Sequence, residues 1–347
     1  GASNSSTYNP LRNGAAVMKL QNALCEKLGI DYPIIQAGMS WASSNAALPA
    51  AVSNAGGLGV LAAGPMRPDD LCDALTELKA STDRSWAVNV PLYRKGVEEI
   101  LDIIADARPP VVIASQGAPG DHLKRFHDLG STWLHVTAFA KHAEKAARQG
   151  VDGVIVVGIE AGGHPPDDGA STLVAVRRVM QVVDCPVVAS GGAADGYGVA
   201  ALLALGADAV QLGTRFLMTK EAGVHEAYKQ AVLAADVGDT VLAGRGNLPV
   251  RCVRNEFTDA VLAAEASAVP ATKPQVWRDL LNASTLKQAA FDGDVARGKV
   301  EAGQTAGLIS DIPPAAQVMA RLVSELKEAF GRVEAMSGSV NSRREFA

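Results

Sequence analysis

The chain has 347 residues and a mass of 35.9 kDa, room for one large domain or two ordinary ones with a substantial core. With 48% apolar residues, 20% charged residues and a net charge of -5, it has a globular rather than a disordered composition and no basic patch to attract nucleic acid. No apolar run reaches the roughly 18 to 20 residues that cross a bilayer, so the expectation is a cytoplasmic protein acting on a small molecule, with no membrane or nucleic-acid partner.

The first seventeen residues, rich in Ser, Asn and Gly, and the last stretch from 337 read as tails. From Met18 onward, short β-rich runs follow one another: PIIQAGM from Pro33, GLGVLAAG from Gly57, WAVNVPL from Trp86, VVIAS from Val111, WLHVTAF from Trp133, GVIVVG from Gly153, PVVASGG from Pro186 and AVQLGTRF from Ala209. Between them lie helical stripes such as Leu173, Val176, Met180 and Val183, or Leu202, Leu203 and Leu205 ending on Gly206 as a helix stop. Continuous apolar strands imply burial on both faces. Eight βα units therefore predict an α/β fold, a closed (β/α)8 TIM barrel, over residues 18–225. From 226 to 336 the pattern turns helical, with no strand expected, and reads as a cap segment packed on the barrel. The helical outer ring offers surfaces for a homodimer.

In such a barrel the site lies just after the strands, which fixes the residues to inspect. After strands seven and eight, Ser190-Gly191-Gly192 and Gly213-Thr214 put small residues where bare backbone amides can close on a phosphate; tight strand–helix corners need the same glycines. After strand six, His164 follows Gly162-Gly163, which lets it approach a flat ligand closely as acid, base or hydrogen-bond donor. Glu160 would orient a ligand hydroxyl or a neighbouring loop, and Asp167-Asp168 would cap the next helix. His135, inside strand five, is a minor candidate at the barrel mouth. Lys141 and Arg215 would hold substrate charge or form surface ion pairs. The other histidines have no partner at metal spacing, so no metal is expected. Cys25, Cys72, Cys185 and Cys252 lie far apart without a CxxC pattern and read as buried or free thiols.

The segments GIEAGGH and PVVASGGAADGYGVAALLALGADAVQLGTRFL, with the opening PIIQAGMSWASSNAALPAAVSNAGGLGVL, resemble the nitronate monooxygenase (2-nitropropane dioxygenase) family of FMN-dependent barrels. The resemblance runs from about Met18 to Val333. It implies FMN at the barrel mouth, with its phosphate on Gly191, Gly192, Gly213 and Thr214, its ring near Ala37, Gly38, Met39 and Asn89, and catalytic His164 beside the reactive face. Glu160, Gly162, Gly163 and Ser190 complete the implied cofactor shell. The implied reaction is oxidation of an alkyl nitronate by O2. The later LPVRCVRNEF and FDGDVARGKVEAGQTAGLISDIPP are more similar to two relatives, the FMN-dependent enoyl reductase and an NADH:quinone reductase branch, which implies NAD(P)H as an alternative electron source and quinones or enoyl thioesters as alternative acceptors. A flavin-free barrel acting as isomerase or lyase on a phosphorylated metabolite would use the same glycine loops. In the C-terminal segment, GDVARGKVEAGQ either reaches the flavin or packs in the outer ring.

Overall fold

The computed structural model describes residues 20–341 apart from 247, 268–274, 276–278 and 283–284, and side chains only as far as residue 336. Helix α1 (Ala23–Leu28) precedes the alternation β1 (Ile34–Gln36), α2 (Ala47–Asn54), β2 (Gly59–Ala62), α3 (Pro68–Ser81), β3 (Trp86–Pro91), α4 (Val97–Ala107), β4 (Val111–Ser115), α5 (Gly120–Asp128), β5 (Thr132–Thr137), α6 (Ala140–Arg148), β6 (Gly153–Val157), α7 (Thr172–Val179), β7 (Val187–Ser190), α8 (Gly196–Ala204), β8 (Ala209–Leu212) and the single turn α9 (Thr214–Leu217). Each of the eight strands falls within, or at most one residue outside, the apolar run that predicts it. All pair in parallel, in the order β1-β8-β7-β6-β5-β4-β3-β2.

The ring closes between its first two strands. A lone parallel bridge joins Ile35 to Leu58, and the buried Gln36 side chain extends it by accepting from Val60 N at 2.9 Å and donating to Val60 O at 3.1 Å. Its amide thus takes the place of a peptide unit in the ladder. Successive side chains point to opposite faces of each strand, so Ile35, Val60, Val111, Ile113, Ile155 and Val188 fill the interior. Their neighbours Ile34, Leu61, Val112, Val154 and Val187 meet the helices. Helix α1, capped by the Asn22 side chain and stopped by Gly29 in the left-handed region, seats Leu24, Cys25 and Leu28 against that interior from below. The barrel is therefore plugged at its N-terminal end, and the opposite rim is left for the site.

Beyond the barrel come α10 (Glu226–Leu233), β9 (Thr240–Ala243), β10 (Val250–Val253), α11 (Glu256–Ser267), α12 (Leu286–Ala290) and α13 (Ala315–Asn341). The expectation that this segment lacks strands is corrected: β9 and β10 form an antiparallel hairpin. Both are only four residues long and buried apart from Leu242's neighbour Val241 and Val253, so neither shows the alternation that marks a half-exposed strand. Helix α13 returns to the barrel wall on α8 and α2, where Gly196 lets the backbone at Leu322 and Leu326 come close. All four cysteines carry free thiols. No helix of the described residues is long and apolar enough to cross a membrane.

Candidate active site

The C-terminal rim surrounds a cavity of about 1230 Å³. The implied catalytic and cofactor residues line it, namely Ala37, Gly38 and Met39 after β1, Asn89 in β3, Glu160, Gly162, Gly163 and His164 after β6, Ser190 to Gly192 after β7, and Gly213 and Thr214 after β8, whereas Lys141, Asp167, Asp168 and Arg215 do not.

The β7 and β8 loops form its glycine-lined side. Gly191 and Gly192 have φ of 105° and 74°, a region open to glycine at no steric cost. Among the described residues the N–H groups of Gly191, Gly192 and Thr214 have no hydrogen-bond acceptor. A methyl group on Gly213 would meet nothing nearer than Met39 Sδ at 3.7 Å and Ala37 Cβ at 3.8 Å, so open space separates the β8 loop from the β1 loop. Buried Gln211 donates to Ser190 Oγ at 3.0 Å, and Thr214 Oγ1 accepts from Gly303 N at 2.9 Å. Free donors beside an open cradle suit an anion such as a phosphate monoester.

His164 stands on the adjoining β6 loop. Its Nδ1 lies 2.8 Å from the carbonyl oxygen of Pro249. A carbonyl can only accept, so Nδ1 carries the proton, and in the neutral ring Nε2 holds a bare lone pair. The hairpin delivers this carbonyl. Arg251, two residues on, forms an antiparallel bridge with Gly163, and its side chain donates from Nε to Ile159 O at 3.0 Å and from Nη1 to Thr240 Oγ1 at 3.2 Å and Thr240 O at 3.3 Å. Arg251 is 5% exposed, and burial lowers its pKa despite the attraction of Glu160. A methyl on Gly162 would lie 2.6 Å from Ala302 C and Gly303 N, so the segment 301–303 rests directly on the histidine loop.

Glu160 orients a neighbouring loop while lining the cavity: its carboxylate accepts from Thr172 N at 2.9 Å and Thr172 Oγ1 at 2.8 Å, holding the start of α7. Ser171 caps that helix through Val174 N, while Asp168 accepts from Ala170 N; the expectation that the aspartate pair caps α7 is therefore corrected. Arg215 is buried and paired with Asp311 at 3.0 Å, which fits a structural ion pair; its Nε is buried without a partner among the described residues, and the residue does not line the cavity. Lys141 is exposed on α6 and does not line the cavity, although Lys145 one turn later does.

Sequence reasoning overlooked Gln211 and Arg251, whereas the GDVARGKVEAGQ segment, expected either at the flavin or in the outer ring, brings Lys299, Glu301, Ala302 and Gly303 to the cavity wall. The sequence carried only a weak signal for Arg251, because its role depends on a contact across 92 residues of chain. Lys299 donates to Leu281 O at 2.8 Å, and burial lowers its pKa. Burial pushes the Tyr228 phenol and the Cys252 thiol well up. Cys252 is therefore an inert thiol under the cavity.

His135, 4% exposed, also lines the cavity. Its Nε2 donates to Gly117 O at 2.9 Å, and Nδ1 accepts from Trp133 Nε1 at 3.3 Å, so the neutral ring is satisfied at both nitrogens. Burial lowers its pKa from the usual 6.5. The unfolded chain therefore binds this proton first as the pH falls. The stability from neutral His135 is complete above about pH 6.5 and is lost below it, by at most about 1.4 kcal/mol per pH unit. Urea unfolding at about pH 7.5 and about pH 5.5 should show a smaller acid loss in His135→Asn than in the parent chain.

Against this geometry, a family model described as nitronate monooxygenase matches residues 21–101 and 91–325. The chain is similar to a nitronate monooxygenase of Paraburkholderia phytofirmans, at 33% identity covering 89% of this chain and 96% of that protein. It is also similar to a (3aS,4S,5R,7aS)-5-hydroxy-7a-methyl-1-oxo-octahydro-1H-indene-4-carboxyl-CoA dehydrogenase of Mycobacterium tuberculosis, at 32% identity covering 88% and 96%. Among solved structures, FabK from Thermotoga maritima matches with a TM-score of 0.84 and 36% identity, covering 91% of this chain and 99% of that one. The chain belongs to the nitronate monooxygenase family and is an oxidoreductase of the flavin type.

Proposed function

We propose an FMN-dependent cytoplasmic enzyme that oxidises alkyl nitronates, such as propionate 3-nitronate, with O2. The observation that carries this reading is the pairing of one histidine of defined tautomer with a phosphate-sized glycine cradle on the same rim. Gly191, Gly192, Gly213 and Thr214 would hold the FMN phosphate, with Ser190 set by Gln211 beneath them. Ala37, Gly38, Met39 and Asn89 would lie along the ring; Gly38 is required there, since a methyl would sit 2.5 Å from Asn89 Cβ. When bound, the flavin supplies the electron transfer between substrate and oxygen. The protein's part is placement and protons. Nε2 of His164 takes a proton from the neutral nitroalkane form, and the resulting imidazolium, still donating from Nδ1 to Pro249, holds the substrate oxyanion through Nε2–H.

A second reading, NAD(P)H-dependent reduction of a quinone or an enoyl thioester, is favoured by the likeness to FabK from Thermotoga maritima, at a TM-score of 0.84 and 36% identity. Anaerobic mixing of the flavin-loaded protein with propionate 3-nitronate, and separately with NADH, separates the two: bleaching by the nitronate is expected, and bleaching by NADH alone would remove the first reading. Protein that stays colourless after FMN is added would remove both and favour a flavin-free isomerase or lyase.

A further inference from the structure

Among the described residues, three non-glycine positions hold a left-handed backbone: Trp41 at φ 68°, Arg108 at 50° and Gln116 at 53°. Arg108 ends α4, where such a residue commonly stops a helix, and Gln116 follows β4 with an exposed side chain. Trp41 ends no helix, and its bulk disfavours this region. The loop around it fixes the conformation. Its N–H donates to Ser44 Oγ at 3.0 Å, and that hydroxyl donates to Ala62 O at 2.8 Å. Its carbonyl oxygen stands 3.0 Å from where a methyl on Gly223 would lie, and the Gly223 N–H donates to Ala42 O at 2.9 Å. Strain held in place by its surroundings in this way clusters at functional sites. Here it sets an indole from the β1 loop into the cavity wall.

The indole is also propped from outside. Phe291, at the end of α12, meets it edge to face, with ring centroids 4.7 Å apart and planes at 79°, a favoured arrangement of aromatic pairs. Phe291 does not line the cavity and is 52% exposed, so the inner member of the pair is Trp41. Val224 and Leu286 line the cavity too, and all three are half-buried and backed by the main core. A short circuit of contacts joins them. The Trp41 carbonyl lies against Gly223, next to Val224; His225 N–H donates to Ala290 O at 2.7 Å; Leu286 stands one helical turn before Ala290; and Phe291 returns to the Trp41 ring.

We infer that Trp41, with Val224 and Leu286, forms an apolar wall that takes the hydrocarbon body of the substrate, and that Trp41 is a specificity-determining residue. An aromatic ring and two aliphatic side chains gain by covering methylene groups. This rests on the reading of the cavity as the site of nitronate oxidation and adds the class of nitronate it selects, one with an apolar chain of several carbons.

The test uses two homologous series on the flavin-loaded protein: ethyl to hexyl nitronate for kcat/KM, and 1-butanol to 1-octanol for calorimetric Kd. Each added methylene is expected to raise kcat/KM, and to tighten alkanol binding, about fourfold in the parent chain. In Trp41→Gly, where glycine accepts the left-handed backbone, the increment should fall to about twofold or less in both series. Leu286→Ala, elsewhere on the wall, should lower it as well and gives the same reading if Trp41→Gly loses its flavin absorbance. An unchanged increment in these variants, or no dependence on chain length in the parent, would overturn the wall. The two series keep the claims apart. If the nitronates leave the flavin oxidised while the alkanol increment still depends on Trp41, the reaction is lost and the wall stands; nitronate turnover without chain-length dependence removes the wall and leaves the reaction.

Discussion

Replacing His164 with Ala is expected to lower kcat/KM by about 10²–10⁴-fold, the usual contribution of a positioned proton-transfer group, while the flavin absorbance of the purified protein stays unchanged. The reasoning is geometric. The Nδ1 proton is committed to Pro249 O at 2.8 Å, so the ring has one free nitrogen, and it lies on the cavity wall. His164→Gln keeps a polar side chain but cannot take up a proton, and it should fall in the same range. Full turnover in either variant, measured by stopped-flow flavin reduction, would show that the histidine serves binding or packing alone.

The second large effect is expected at Arg251. Its guanidinium ties the loop after β6, through Ile159 O, to β9, through Thr240 O and Oγ1, while its backbone in β10 bridges Gly163. Arg251→Met keeps the apolar stem but strips these donors from buried carbonyl groups, at a cost of about 2–3 kcal/mol. It also loosens the hairpin that presents Pro249 to His164, and misplacement by about 1 Å is worth about 10²-fold in rate. The expected signature is a lower urea midpoint together with a fall in kcat that exceeds any change in KM. A variant that loses stability but keeps kcat would reduce Arg251 to a scaffold residue.

How far the sequence alone reaches is visible in these two residues. His164 is legible because it follows two glycines at the end of an apolar run, and in parallel-sheet folds such runs end at the rim that carries the site. The eight barrel strands are legible for the same reason, since burial on both faces leaves them uninterrupted apolar. Arg251 is not. It sits in a four-residue strand with no period to display, and its partner Gly163 lies 88 residues earlier, so local pattern carries no trace of the bridge. Asp167-Asp168 misleads for the opposite reason: aspartates favour helix starts, but the loop runs on to Ser171 before α7 begins.

The join between β1 and β2 has a consequence for how the molecule breathes. Seven of the ring's strand junctions are held by runs of peptide hydrogen bonds, whereas this one depends on a short stretch around Ile35 and Leu58 and on a carboxamide hung from a rotatable side chain. It is the natural place for the cylinder to unzip. Ala37, Gly38 and Met39 follow Gln36 directly, so a ring system lying along them would tie down the loosest edge, and occupancy of the mouth and integrity of the cylinder would be coupled through one seam.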